Sequence, residues 1–306
     1  MSLFLFPGQG SQRPGMGSDF YEQSPAARAI FDQAATLTPE GFLECMFTGE
    51  EETIGLTRHA QPALLTVEVA IAAHLAALGV VPSACAGHSL GEIPALVVAG
   101  ACDFADALRF TQERARLMSE EVPEGGMAAV MGLAPEAIDA VLPEGVQVAN
   151  YNTPDQTIIT GASAPLEAAA ELLKAAGAKR VMPLKVSGPF HSEFMRDAAE
   201  RLRAVLEAVP FLPPRTRFIS SVTGREERDP DQIRGLLSVQ LVRPVRWTQV
   251  MQCFDPAGQA LEIGPGGVLK GLAKRIPGAP RVSPAGNLDD VQRLLSEACS
   301  PESVSE

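Results

Sequence analysis

Residues 80–98 read VVPSACAGHSLGEIPALVV, and this stretch decides the architecture of the chain. Val80–Ala86 is a run of apolar and small residues, typical of a strand buried on both faces. Gly87 and Gly91 then bracket a sharp turn, and an apolar helical pattern continues to Val98. A buried strand, a tight turn and a helix in succession are typical of a parallel sheet covered by helices.

The alternation of strands and helices continues on either side of this stretch. Leu3–Phe6 is a short apolar strand, and Ala60–Leu78 is rich in Ala and Leu at helical spacing. Another helix is predicted to begin after Asp103, which suits the N-cap position. We therefore predict an α/β protein whose large domain is built on a parallel sheet and resembles the α/β-hydrolases.

The segment 123–188 has a pattern of its own. Its predicted order is strand, helix, strand, strand, helix, strand, which is the ferredoxin-like arrangement. The predicted elements are Met127–Met131, Pro135–Val141, Val146–Tyr151, Thr157–Thr160, Pro165–Ala176 and Arg180–Val186. We predict a small ferredoxin-like domain over 123–188, inserted into a large catalytic domain formed by 1–122 and 189–306.

Composition excludes several classes of protein. With 46% hydrophobic and 20% charged residues, the 306-residue chain is neither disordered nor fibrous. Its net charge of −12 argues against a nucleic-acid surface, which needs massed Lys and Arg. The five cysteines are odd in number and scattered, so we expect neither disulfides nor a metal site.

The termini and the hydropathy pattern predict a location. The apolar run at the N-terminus is too short for a signal peptide, and we recognise no stretch of membrane-spanning length. We therefore expect a cytoplasmic monomer that binds no membrane. A polar tail from Cys299 is expected to fray.

Gly87-His88-Ser89-Leu90-Gly91 matches the G-x-S-x-G pattern of a nucleophile elbow, and its place between a strand and a helix is what that reading requires. The turn would expose the Ser89 hydroxyl, while backbone N–H groups at the helix start could hold an oxyanion. The alternative is a glycine-bounded turn in which Ser89 only caps the helix.

Five motifs together resemble the malonyl-CoA:acyl carrier protein transacylases. They are FPGQGSQ at 6–12, QPAL at 61–64, GHSLGE at 87–92, GPFHS at 188–192 and EIGPG at 262–266. The matches follow the family's order and span Phe4 to Asn287. The resemblance implies a serine acyltransferase that moves malonyl from malonyl-CoA to the phosphopantetheine thiol of acyl carrier protein, feeding fatty acid synthesis. It implies no metal and no tightly bound cofactor.

One departure from the family pattern follows GHSLGE. The family usually has an aromatic and a small polar residue there, whereas this chain has Ile93-Pro94. Proline is tolerated in a first helical turn, so we expect altered packing and intact chemistry.

A serine hydroxyl needs a base to become a good nucleophile. The histidines are His59, His74, His88 and His191. The side chain of His88 is expected to leave the turn on the side away from Ser89. His191 lies where the chain returns from the small domain, and ligand clefts commonly form at such seams. The residues alone leave His191 open between a catalytic base and a buried structural histidine, and the resemblance implies the base.

The resemblance also assigns main-chain groups to the site. It implies that the backbone carbonyl of Gln240 orients His191 in place of a carboxylate. It further implies that the backbone N–H groups of Gln9 and Leu90 form the oxyanion hole.

Arg114 falls on the apolar stripe of its helix, seven residues from Ala107, whereas Arg109 and Arg116 fall on the opposite face. A buried guanidinium needs an anionic partner. One alternative is a structural ion pair with a carboxylate such as Glu92; the other is a clamp on a substrate carboxylate. The resemblance implies the clamp, on the free carboxylate of malonyl.

Further residues are expected to complete the site. Gln61 and Phe190, within two of the motifs, are expected to contact substrate, and Phe190 fits an unbranched malonyl. Asn150 and Asn152, at a strand end, are expected to line the cleft. Lys179-Arg180 and the cluster from Lys270 to Arg275 suit either a solvated face or anionic partners, and the resemblance implies carrier docking near Lys179 and Arg180.

Two other functions remain open on the residues alone. An α/β-hydrolase esterase normally has its histidine late in the chain, whereas none follows His191 here. A non-catalytic thioester-binding subunit would keep the cleft but need no reactive serine.

Overall fold

The computed structural model describes residues 2–120 and 122–298, so the predicted frayed tail from Cys299 lies outside the described residues. Two sheets organise the described chain. In chain order the strands are β1 (Ser2–Phe6), β2 (Pro82–Gly87), β3 (Gly126–Met131), β4 (Val146–Thr153), β5 (Gln156–Gly161), β6 (Arg180–Pro183), β7 (Arg217–Ser220), β8 (Arg225–Glu227), β9 (Gln259–Glu262) and β10 (Arg281–Pro284).

Helices surround both sheets. In chain order they are α1 (Ser18–Gln23), α2 (Pro25–Leu37), α3 (Phe42–Thr48), α4 (Glu51–Gly55), α5 (Thr57–Ala77), α6 (Glu92–Val98), α7 (Phe104–Glu120), α8 (Pro135–Asp139), α9 (Ser163–Ala175), α10 (Arg196–Leu206), α11 (Pro230–Val239), α12 (Trp247–Gln252), α13 (Val268–Ala273) and α14 (Leu288–Ala298). Asp103 Oδ1 accepts from the Ala105 N–H at 2.8 Å, as its predicted N-cap position requires.

The large sheet has the order β10-β9-β1-β2-β7-β8. Its strands run parallel except β8, which forms an antiparallel hairpin with β7. Side chains of β1 alternate between two cores: Phe4 and Phe6 pack into one and Leu5, with Trp247, into the other. A strand buried on both faces needs helices on both sides, so the predicted parallel α/β architecture is confirmed.

The second sheet is antiparallel and has the order β4-β5-β3-β6. With α8 and α9 this is the predicted strand–helix–strand–strand–helix–strand sequence, with the first and third strands adjacent at the centre. A ferredoxin-like unit is therefore present in addition to the large sheet. Its last strand ends at Pro183, whereas the sequence predicted a strand to Val186. The exact domain boundaries at 123 and 188 stay a prediction.

Helix α5 corrects the expectation that no stretch is long enough to cross a membrane. By length and composition alone it could do so. In the structure, 78% of its most apolar window is buried inside the protein, as in the core helix of a globular domain.

The large sheet places two loops side by side. Strands β1 and β2 are adjacent and parallel, so their carboxyl ends meet at one edge. The loop after β1 carries Gln9, and a 3₁₀ turn at Ser89–Gly91 follows β2 and leads into α6. Clefts at the carboxyl ends of parallel strands are the usual ligand sites of α/β sheets.

Candidate active site

Ser89 sits on a strained turn between β2 and α6. Its φ of 52° lies in the left-handed region, which non-glycine residues rarely adopt. The two flanking glycines allow the turn to close. A Cβ at Gly87 would lie 1.9 Å from the Gly91 backbone, and one at Gly91 would lie 2.0 Å from the Phe6 carbonyl oxygen. The turn therefore has the geometry of a nucleophile elbow.

His191 reaches Ser89 from 102 residues away in the sequence. Its Nε2 lies 2.8 Å from Ser89 Oγ, and its Nδ1 lies 3.0 Å from the carbonyl oxygens of both Gln240 and Arg243. Carbonyl oxygens only accept, so the proton is on Nδ1 and Nε2 is free to accept from the serine hydroxyl. The second carbonyl, from Arg243, was not predicted.

The surroundings of His191 keep its imidazole neutral. Burial and the nearby Arg114 charge lower its pKa from 6.5 to about 4, while the two carbonyl hydrogen bonds act in the opposite direction. A neutral imidazole is the form that can take a proton from Ser89.

Arg114 is 2% exposed and points toward the nucleophile, as the stripe of α7 predicted. Its Nη1 donates to Gln61 Oε1 at 2.6 Å, and its Nη2 donates to Gln240 Oε1 at 3.0 Å and to Ser89 Oγ at 3.4 Å. Within the described part of the chain, no carboxylate lies within salt-bridge distance of it. Burial lowers its pKa to about 10, and Glu92 opposes that shift.

Glu92 is close to this group but does not pair with it. The carboxylate is 2% exposed and accepts from Ser221 and from the Gln240 side-chain amide. Burial raises its pKa, and these hydrogen bonds lower it. The alternative of a direct Arg114–Glu92 ion pair is therefore wrong. A charged residue at the start of the apolar α6 was the sequence signal that could have revealed this network.

A cleft of about 170 Å³ opens over the Ser89–His191 pair. Predicted site residues that line it are Gln9, Gln61, Ser89, Leu90, Arg114, Asn150, Phe190 and His191. Met127, Leu184 and Val186 close it from the ferredoxin-like side. Lys185, which the sequence did not single out, also lines it. The cleft thus lies at the seam between the two sheets, as predicted for His191.

Three predicted site residues lie elsewhere. Asn152 is not among the residues that line the cleft; its Oδ1 is 2.9 Å from His88 Nε2, so the expectation that it lines the cleft is wrong. The two residues share one strand, but β4 is irregular between Val148 and Asn150 and between Tyr151 and Thr153. Lys179 and Arg180 are exposed at and just before β6, outside the cleft.

Comparison with known proteins gives the class of the protein first. A family model described as the acyl transferase domain matches residues 3–269, so the chain is an acyltransferase. The malonyl CoA-acyl carrier protein transacylase of Bacillus subtilis is 44% identical over 283 residues, covering 89% of each chain. That of Escherichia coli K12 is 40% identical and covers 89% of this chain and 92% of its own. The chain belongs to the malonyl CoA-acyl carrier protein transacylase family.

Solved structures of the same family have the same fold as this chain. An acyl carrier protein S-malonyltransferase from Vibrio cholerae superposes with a TM-score of 0.91 at 38% identity, covering 95% of this chain and 99% of its own. A malonyl-transacylase in complex with a type II polyketide-synthase acyl-carrier protein gives 0.91 at 39% identity, covering 96% and 99%.

Proposed function

We propose that this chain transfers malonyl from malonyl-CoA to the phosphopantetheine thiol of acyl carrier protein in fatty acid synthesis, through an ester on Ser89. The observation that carries the proposal is Arg114, a buried guanidinium 3.4 Å from the nucleophile, whose hydrogen-bond partners among the described residues are all neutral. Such a group suits an acyl chain that ends in a carboxylate. The names of the relatives supply malonyl and the carrier protein.

Acylation begins at the 2.8 Å contact between Ser89 and His191. As Ser89 Oγ attacks the thioester carbonyl, its proton passes to His191 Nε2. The carbonyl oxygen becomes an oxyanion, held by the backbone N–H groups of Gln9 and Leu90 that border the cleft. The C–S bond then breaks, and the CoA sulfur leaves with the proton from His191.

Transfer runs the same steps in reverse on a second thiol. The phosphopantetheine sulfur of the carrier attacks the Ser89 ester while His191 takes the thiol proton. Collapse of the second oxyanion returns the proton to Ser89 Oγ and releases malonyl on the carrier. Proton transfer and nucleophilic attack by side chains suffice for both steps, so we expect no metal or cofactor.

Other cleft residues would set acyl specificity. Arg114 would hold the malonyl carboxylate, with Gln61 fixing its Nη1 side. Phe190 and Asn150 border the acyl space. In the part of the chain that the structure describes, the buried Asn150 Oδ1 has no hydrogen-bond partner, so it could accept from a bound substrate. We expect a cytoplasmic monomer that meets its carrier at Lys179 and Arg180.

Intact mass after mixing with malonyl-CoA or acetyl-CoA tests the proposal. Wild type should gain one malonyl group, Ser89→Ala should gain none, and Arg114→Ala should acylate from malonyl-CoA about 100-fold more slowly or worse while its acetyl reaction changes little. If the thioester is hydrolysed and free CoA accumulates, with no adduct on the protein and no malonyl transferred to the carrier, the chain is a hydrolase. Neither adduct nor CoA release would indicate a thioester-binding subunit.

A further inference from the structure

Glu92 is a buried charge that the proposed acyl-transfer steps do not use. Its Oε1 accepts from the Ser221 N–H at 3.2 Å, and its Oε2 accepts from the Ser221 hydroxyl at 2.7 Å and from Gln240 Nε2 at 2.6 Å. Each neighbour acts as a donor, so the surroundings suit an ionised carboxylate. Because burying a charge costs free energy, a buried carboxylate so close to the cleft is expected to serve the site.

These contacts fix which way the Gln240 amide faces. Gln240 Nε2 donates to Glu92 and also to the Ser89 carbonyl oxygen at 3.1 Å. Both partners only accept, so the amide nitrogen must face them. The amide oxygen is thereby turned toward Arg114, whose Nη2 lies 3.0 Å from it.

The same pattern holds on the other side of the guanidinium. Arg114 Nη1 donates to the amide oxygen of Gln61, which is again neutral. Gln61 Nε2 in turn donates to Met118 Sδ at 3.3 Å, so this amide also has its oxygen toward the arginine. Two amide oxygens hold Arg114 in place, and neither cancels its charge.

We infer that Glu92 is a positioning residue for acyl selectivity. It fixes the Gln240 amide between its own carboxylate and the Arg114 guanidinium. The negative charge of Glu92 then balances the charge of Arg114 through the neutral amide and leaves guanidinium N–H groups available to a substrate carboxylate. The inference rests on the proposed role of Arg114 as the carboxylate clamp. An uncompensated buried guanidinium would be costly, whereas a carboxylate in direct contact would occupy the N–H groups that a substrate carboxylate needs.

A charge swap isolates this arrangement. Glu92→Gln combined with Gln240→Glu keeps the net charge and nearly the same volume but moves the carboxylate into contact with Arg114. We expect kcat/KM for malonyl-CoA to fall about 10- to 100-fold, mainly through KM, because the new ion pair must be broken by the substrate. Acylation by acetyl-CoA should fall clearly less than acylation by malonyl-CoA, since the acetyl group does not need the guanidinium as a clamp.

A second variant tests the same inference if the Glu92→Gln, Gln240→Glu double variant does not fold. Gln61→Glu brings a carboxylate to Arg114 from the opposite side and leaves Glu92 and Gln240 untouched. It should likewise lower the malonyl-to-acetyl ratio, which is kcat/KM for malonyl-CoA divided by kcat/KM for acetyl-CoA. The matched control is Glu227→Gln, which neutralises another buried glutamate, 6% exposed and bonded to Thr223, outside the cleft; its ratio should equal that of wild type.

The measurements separate this inference from the proposed function. If wild type gives no malonyl adduct at Ser89, the proposed function fails, and the inference fails with it. If wild type selects malonyl and the variants keep its malonyl-to-acetyl ratio, Glu92 has no positioning role. An equal loss of both reactions would assign Glu92 to structure alone and would also overturn the inference.

Discussion

Ser89 and His191 share an unusual backbone conformation. Among the described residues other than glycine, they alone have a positive φ, at 52° and 57°. Such angles cost free energy on the order of 1–3 kcal/mol each and persist where the surrounding structure fixes them. Here both strained residues place Oγ and Nε2 2.8 Å apart, so the backbone strain occurs at the two residues of the proposed proton transfer.

The lowered pKa of His191 predicts an acid limit to acylation. Because the neutral imidazole persists well below the ordinary pKa of 6.5, the rate should stay level as pH falls through that value and should decline only near pH 4. Stopped-flow acylation by acetyl-CoA, with circular dichroism to verify folding, measures this. In Arg114→Met the loss of a neighbouring positive charge should move the decline to higher pH. A wild-type decline centred near 6.5 would contradict the prediction.

The turn between β2 and α6 depends on close backbone approach. Gly91→Ala would place a methyl group 2.0 Å from the Phe6 carbonyl oxygen, and backbone atoms there cannot move without disturbing β1. We expect a loss of about 3 kcal/mol or more in the free energy of unfolding, measured by urea denaturation.

Gly235 provides the control for that substitution. It lies exposed within α11, where an added Cβ meets nothing within 4 Å. Gly235→Ala should stabilise by about 0.4–1 kcal/mol, since alanine loses less conformational entropy in a helix. Equal effects at the two positions would show that the turn is not sterically constrained.

Helix α5 carries a second buried acid, Glu68, whose two carboxylate oxygens have no hydrogen-bond partner among the described residues. Burial raises its pKa well above 4.5, and the neighbouring Glu262 raises it further. A carboxyl whose pKa is raised on folding contributes full stability below its ordinary pKa and loses it as pH rises toward the folded value.

Glu68→Gln should therefore change how stability depends on pH. Because glutamine cannot ionise, the variant should exceed wild type by about 1–3 kcal/mol at pH 8, and the gain should vanish toward pH 4.5. Urea unfolding at pH 5 and pH 8 measures the difference. Glu262→Gln is the contrast, because Glu262 accepts from the N–H groups of Leu269 and Lys270 and its loss should destabilise. A gain at Glu68 that did not vary with pH would refute the assignment.

At the scale of the whole molecule, the ferredoxin-like unit supports the catalytic centre. Edge strand β4 bonds to the segment after Arg243: the Tyr151 N–H donates to the Val245 carbonyl, and the Val245 N–H donates to the Ala149 carbonyl, both at 2.8 Å. The carbonyls of Gln240 and Arg243, which lie just before this contact in the chain, are the two that bond to His191. The small sheet thus helps to position the proposed base, His191, as well as to close the cleft.

Carrier docking is also a property of the whole surface. The net charge of −12 would repel a carrier protein that is itself acidic, so we expect its binding to depend on local basic side chains. Lys179→Glu with Arg180→Glu should raise KM for the carrier about threefold to tenfold, with KM for malonyl-CoA unchanged, and the difference should shrink with added salt. Steady-state kinetics at two ionic strengths measures this. Arg293→Glu on α14 reverses one charge outside that pair, so Lys179→Glu alone is its charge-matched partner, and an equal rise in KM for these two variants would disprove a local docking patch.

The sequence by itself determined most of the features that depend on local spacing. The glycine-bounded turn at Ser89, the buried stripe that contains Arg114, and the strand order within 123–188 all follow from backbone sterics and from the periods of helix and strand. These were predicted and are present in the structure. Even here the periodicity did not set the last boundary, since Val186 lies outside β6.

Only the tertiary structure decided which distant groups meet. It brought the Arg243 carbonyl to His191, set the Gln240 amide between Glu92 and Arg114 across 148 residues, and turned Asn152 to His88 instead of the cleft. Local spacing fixes the face of an element on which a residue lies. What lies opposite that face depends on the order of the strands and on irregularities in their register, which form only when distant segments pack together.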